Sequence, residues 1–146
     1  MEKSYTNLRN CKVALKKALD LFELSLEQEI TDESINVSNW AYFPNLDVQG
    51  FCSFSFFENG FAIYSIYFDK IDFTPKTCEL LNKFNSKSLY FRAYINDESE
   101  LTLEHSVACL RDDFVYDYTT NILTNAFGKG FSGSLKPLVD LTYIEE

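Results

Sequence analysis

His105 is the only histidine in this chain of 146 residues, so any Ser-His-Asp or Cys-His device would have to be built on it. It alternates with Leu101, Leu103 and Val107 on what reads as one face of a strand. A histidine in that setting is expected to be a partly buried, hydrogen-bonded core residue and not a metal ligand. Pairing in space with Cys11, Cys52, Cys78 or Cys109 stays open, since a nucleophile and its base need not be neighbours in sequence. Zinc requires nitrogen and sulfur ligands at workable spacing, and neither paired cysteines nor paired histidines occur. The acidic sets Asp97-Glu98-Glu100 and Asp112-Asp113-Asp117 lack the spaced ligands and glycine of a calcium loop. They read as a solvated turn and the start of a helix. Gly128-Lys129-Gly130-Phe131-Ser132-Gly133 has the glycines of a phosphate cradle but follows a helix, where a phosphate loop follows a strand. The residues therefore predict no catalytic group, no metal and no cofactor.

Charge narrows the partners. Thirteen basic against twenty-two acidic residues leave a net charge of −9, and the sequence pI is about 4.6. Nucleic acid demands a basic footprint, so this balance argues against it. Residues 31–69 hold no Lys or Arg, while Asp32, Glu33, Asp47, Glu58 and Asp69 lie among them. Such a surface would favour a basic partner, but plain solubility is the preferred explanation. No apolar run approaches the roughly 18 residues of a membrane span, and Met1–Thr6 lacks the apolar core of a signal peptide. The four cysteines fall one to an element without paired spacing, which reads as buried thiols. The expected location is cytoplasmic, with no membrane contact.

The elements that must position these groups follow from periodicity. A helix is predicted over Ser4 to Ile30, with Leu8, Cys11, Leu15, Ala18, Phe22 and Leu26 as its buried stripe and Ser4 or Thr6 as its cap. Val13, Leu21 and Leu24 fall off that stripe and hint at a second contact. The helix carries Arg9, Lys12, Lys16 and Lys17 early and its acids late, against the preference of the helix dipole. Aromatic and β-branched runs predict strands over Ile35–Phe43, Val48–Phe57 and Phe61–Phe68. Pro44–Asp47 forms a loose turn, and Asn59-Gly60 a two-residue hairpin turn with positive φ at both positions. Thr74-Pro75 opens a second helix that buries Cys78, Leu81 and Phe84.

The last hairpin allows a register to be derived. Leu89, Phe91, Ala93 and Ile95 match Leu101, Leu103, His105, Val107 and Cys109 across the pair only through an odd-length turn. A three-residue turn at Asp97-Glu98-Ser99 sets Arg92 opposite Glu104 and Phe91 opposite His105. A final helix starts at Asp112-Asp113, turns Val115, Tyr118, Ile122, Leu123 and Ala126 inward and stops at Gly128. Residues 129–146 are expected to be a flexible or partner-binding tail. The whole chain is one α+β domain: helix, three strands, helix, two strands, helix, with a mainly antiparallel five-stranded sheet and the first and third helices on one face.

On that register the other sheet face carries Trp40, Tyr42, Tyr90, Arg92 and Tyr94. Aromatic residues and Arg are enriched at protein interfaces. These five are the candidate partner-binding residues, against the plainer reading that tyrosines tile a solvated face.

The element order resembles that of the type III secretion chaperones and the related bacterial YbjN family. The likeness is closest through Glu79-Leu80-Leu81-Asn82-Lys83-Phe84-Asn85, Leu89-Tyr90-Phe91-Arg92-Ala93-Tyr94-Ile95 and Leu101-Thr102-Leu103-Glu104. It implies a small, acidic, dimeric, non-enzymatic protein that holds an extended client segment against its sheet and helices. The expected function is thus a chaperone-like or regulatory protein-binding domain acting as a homodimer. The alternatives are an immunity or antitoxin-like protein that neutralises a basic enzyme, and a small enzyme or ligand carrier using His105.

Overall fold

The computed structural model describes residues 7–128 and 133–144. The first helix, α1 (Leu8–Leu21), is capped by Asn7, whose side chain accepts from the backbone N–H of Asn10. The expected caps Ser4 and Thr6 lie outside the described residues. Cys11, Leu15, Ala18 and Leu19 form its buried stripe. It ends nine residues before the predicted Ile30. The stop is a pair of reverse hydrogen bonds, Leu24 N to Leu19 O at 3.0 Å and Glu23 N to Asp20 O at 3.1 Å, with Glu23 left-handed at φ 56°. Glycine usually occupies that position. Here Leu24 packing on the core holds a glutamate there instead.

The chain then extends into a strand absent from the sequence reading, β1 (Glu27–Ile30), exposed along its whole length. The strands β2 (Ser34–Phe43), β3 (Val48–Phe57) and β4 (Ala62–Lys70) follow at the predicted positions. After α2 (Pro75–Lys87) come β5 (Arg92–Ile95) and β6 (Glu100–Val107), then a 3-10 turn over Asp112–Phe114, α3 (Val115–Phe127) and the short α4 (Lys136–Val139). The sheet has six strands, not five, in the order β1-β2-β3-β4-β6-β5, and every pairing is antiparallel.

Two hairpins follow the same parity rule. At the β5–β6 turn, Arg92 pairs with Glu104, and Asn96 and Glu100 flank the predicted three-residue turn, in which Ser99 has φ 63°. At the β3–β4 turn the expected two-residue Asn-Gly turn does not form. Phe57 N bonds Phe61 O at 2.9 Å around Glu58-Asn59-Gly60, and of the central pair only Gly60 has positive φ. The odd loop pairs Phe56 with Ala62 and Phe54 with Tyr64, all facing inward. A two-residue loop would have set each of these against an outward side chain.

One sheet face is the core. Ile35, Val37, Cys52, Phe54, Phe56, Tyr64, Ile66 and Leu103 are buried there beneath α1 and α3. Each fully buried Leu, Ile or Phe of this set contributes about 1.5–3 kcal/mol. Phe43 stacks on Phe127 of α3 with ring centroids 4.5 Å apart. Tyr64 and Thr119 share a buried hydrogen bond at 2.8 Å. Gly50 keeps this face close-packed, since a Cβ there would meet Phe43 at 2.9 Å and Ile66 and Phe68 at 3.0 Å.

The remaining helices depart from the predicted details. Thr74 caps α2 with Pro75 in its first turn, as expected, but the buried side is Thr77, Leu80 and Phe84. Cys78 and Leu81 are only half-buried, and the inward Thr77 hydroxyl donates to Asp72 O at 2.8 Å. In α3 the buried set is Val115, Thr119, Ile122, Leu123 and Ala126, while Tyr118 is half-buried and reaches His105. Within residues 129–146, the described part is docked: Leu135, Leu138 and Val139 are buried, and Tyr143 pairs its backbone with Lys70. Lys129–Ser132 and Glu145–Glu146 lie outside the described residues.

Candidate functional site

The sheet face turned away from α1 and α3 is uncovered, and its register lines up side chains from five strands. Trp40 of β2 stands opposite Phe51 of β3, Phe51 opposite Tyr67 of β4, Tyr67 opposite Thr102 of β6, and Thr102 opposite Tyr94 of β5. Antiparallel pairing puts such partners on one face, so the five form a row across the sheet. Trp40 meets Phe51 edge-on at 5.5 Å and remains 56% exposed. Thr102 is fully buried between its two tyrosine neighbours. A second row beside it, Ser38, Ser53, Ser65, Glu104 and Arg92, is polar.

A cleft of about 670 Å³ opens along the aromatic row, lined by Trp40, Phe51, Tyr67 and Tyr94. Its wall is shaped by an irregularity in β4. The pairing shifts between Tyr67 and Lys70, which places one extra residue in β4, and Asp69 in that segment lines the cleft. Bulges of this kind re-aim side chains at the margins of sites. The phenol of Tyr94 is pushed up to about 12, first by burial and then by the negative charge of Glu104 and hydrogen bonding to it.

Of the expected partner-binding residues, Trp40, Tyr42, Arg92 and Tyr94 stand on this face. Tyr42 hydrogen-bonds Asp47 at 2.5 Å, which ties it to the β2–β3 loop and raises its pKa. Tyr90 does not join them. It precedes β5, its ring sits edge-on to His105 at 5.8 Å, and its carbonyl is bound by that histidine. With that carbonyl engaged by a side chain, the strand begins only at Arg92, and Leu89 is left exposed. Phe51 and Tyr67 also belong to the row, a place that sequence alternation does not reveal. Phe51 and Phe57 flank Phe54 and Phe56, so aromatics occur at both parities of β3 and alternation alone does not choose a face.

His105 is half-buried, with both ring nitrogens engaged. Nδ1 lies 2.8 Å from Tyr90 O and Nε2 2.5 Å from the Tyr118 hydroxyl. A carbonyl only accepts, so Nδ1 carries a hydrogen, and in the neutral ring Nε2 accepts from the Tyr118 hydroxyl. Arg92, opposite Glu104, faces away from His105 as the derived register requires. Cys11 and Cys52 are buried, and burial pushes both thiols up to about 12, far from the range of a reactive thiolate. Cys78 is half-buried and Cys109 exposed, so the expectation of buried thiols holds for two positions only. Among the described residues no cluster of His, Cys, Asp and Glu is arranged to hold a metal ion. No described helix is long and apolar enough to cross a membrane. Asp112 instead ties the 3-10 turn ahead of α3 to α1: its carboxylate accepts from the Asn10 side chain at 2.9 Å, which lowers its pKa.

No family model matches this chain, and no curated protein or solved structure matches it.

Proposed function

We propose that this protein is a non-enzymatic protein-binding domain, chaperone-like or regulatory, that holds a polypeptide partner on its uncovered sheet face. The observation that carries the reading is the row Trp40–Phe51–Tyr67–Thr102–Tyr94, aromatic at four of its five positions and left open above a cleft. Tyr and Trp supply large, rigid contact area at small conformational cost and dominate binding hot spots. Ser38 and Ser53 in the row beside them, both half-buried, offer hydrogen bonding to a peptide backbone. The likeness of residues 79–104 to the YbjN and secretion-chaperone pattern supports the same reading. The test is partner capture by the wild type against Trp40→Ser, Tyr67→Ser and Tyr94→Ser, each checked for folding by circular dichroism. Loss of a specific partner in folded variants supports the sheet face; undiminished capture by all three removes it.

The same reading includes a homodimer. The α1 surface away from the core leaves Val13 and Leu21 more than half exposed, and Tyr116 lies across the groove from Val13. Light scattering at micromolar concentration checks this, with Val13→Ser and Leu21→Ser expected to shift a dimer to monomer.

A further inference from the structure

The aromatic cleft is closed at one end by carboxylates. Asp69 from the β4 bulge, Asp97 and Glu98 from the β5–β6 turn, and Glu100 at the start of β6 all line it. No Lys or Arg is among its described lining residues. The nearest cation along β4, Lys70, directs its ammonium to Glu98 O at 3.1 Å, and Asn96 donates to the Glu100 carboxylate at 3.0 Å. Arg92 stands in the adjoining row opposite Glu104. Aromatic walls and four acidic residues are therefore brought together by five different strands and a turn.

Resting on the reading that the sheet face binds a polypeptide, we infer that this cleft takes a Lys or Arg side chain of an extended, basic segment of the partner. A cation fits both features at once: its charge faces Asp69, Asp97 and Glu98, and its stem lies between the rings of Tyr67 and Tyr94, whose faces attract cations. An extended segment fits because alternate side chains of a strand point the same way, so one cation reaches the cleft while its neighbours meet the serine row. Residues 31–69, which contribute Trp40, Phe51, Tyr67 and Asp69, contain no basic side chain to repel such a partner. An acidic segment would meet like charge from Asp69, Asp97 and Glu98.

Trp40 is the chain's one tryptophan, so its fluorescence reports on the cleft alone. Three peptides of one length and framework are titrated, with Lys, Ser or Glu at alternate positions. The expected result is a saturable change in Trp40 emission with the Lys peptide, weakened by added salt. The variant Asp97→Asn with Glu98→Gln is expected to lose about 3- to 30-fold in affinity for it, the range set by one cation site. Because the chain carries a net charge of −9, Asp32→Asn with Glu33→Gln serves as a distant control and should bind as the wild type does. An equal loss in that control would mean general attraction to an acidic surface and would overturn the inference. Ser or Glu peptides that bind as well as the Lys peptide overturn the basic preference while polypeptide binding stands. Silence of Trp40 toward all three peptides overturns both.

Discussion

The side-chain amide of Asn85 makes both outward backbone hydrogen bonds of Ala93, donating to its carbonyl at 3.0 Å and accepting from its N–H at 2.7 Å. Ala93 sits on β5, the edge of the sheet, so one side chain from α2 takes the place of a neighbouring strand. Open edges pair with other chains, and covering them is a general protection. Asn85→Ala is expected to cost about 1–3 kcal/mol, the range for groups left without partners. Hydrogen exchange at the Ala93 amide should accelerate in that variant; unchanged protection would show that the bond contributes little.

Tyr64 and Thr119 should behave as a coupled pair. Their hydroxyls are buried and 2.8 Å apart; burial raises the Tyr64 pKa, and the bond to Thr119 opposes that rise. Thr119→Val leaves the tyrosine hydroxyl unpaired and should cost about 1–3 kcal/mol. Combining it with Tyr64→Phe should cost less than the sum of the single changes. Urea unfolding of the four proteins measures this, and strict additivity would contradict it.

Glu23 offers a stabilising change. It holds φ 56° at the end of α1, a conformation that costs a non-glycine residue about 1–2 kcal/mol. Glu23→Gly removes that strain and gives back part of it as chain entropy. A net gain of about 0.5–1 kcal/mol is expected, read as a higher urea midpoint.

Gly50→Ala should act in the opposite direction. The added methyl would press on Phe43, Ile66 and Phe68 at about van der Waals overlap. Overpacking of this kind costs about 1–3 kcal/mol, and thermal unfolding should show it.

Tyr94 predicts a pH dependence. Its phenol ionises later in the folded chain, near 12, than in the unfolded chain. The folded state therefore retains a proton that the unfolded state has lost, so this contribution is present below the ordinary tyrosine range and disappears as pH rises toward 12. Carbon-13 NMR titration of the tyrosine rings should find Tyr94 late, and Glu104→Gln should bring it earlier.

The sequence by itself determined the α+β class, three of the strands, the capped second helix and the parity of the last hairpin. Those features depend on local periodicity, and on the single requirement that apolar side chains share a face. Arg92 opposite Glu104 followed from that requirement alone. The same requirement, applied to Phe54 and Tyr64, demands the odd loop Glu58-Asn59-Gly60, which the Asn-Gly pair by itself does not signal. Tertiary structure decided the rest. The first helix runs on in the pattern because Phe22 and Leu26 keep helical spacing, yet Leu24 is drawn onto the core and Glu23 bends into the left-handed region without the glycine that would signal it. The aromatic row was half legible: Trp40 and Tyr94 were visible, while Phe51 and Tyr67 could be assigned only once the partners of β3 and β4 were known. Strands rich in aromatics at both parities carry no local record of which face is covered, because that depends on where distant helices pack.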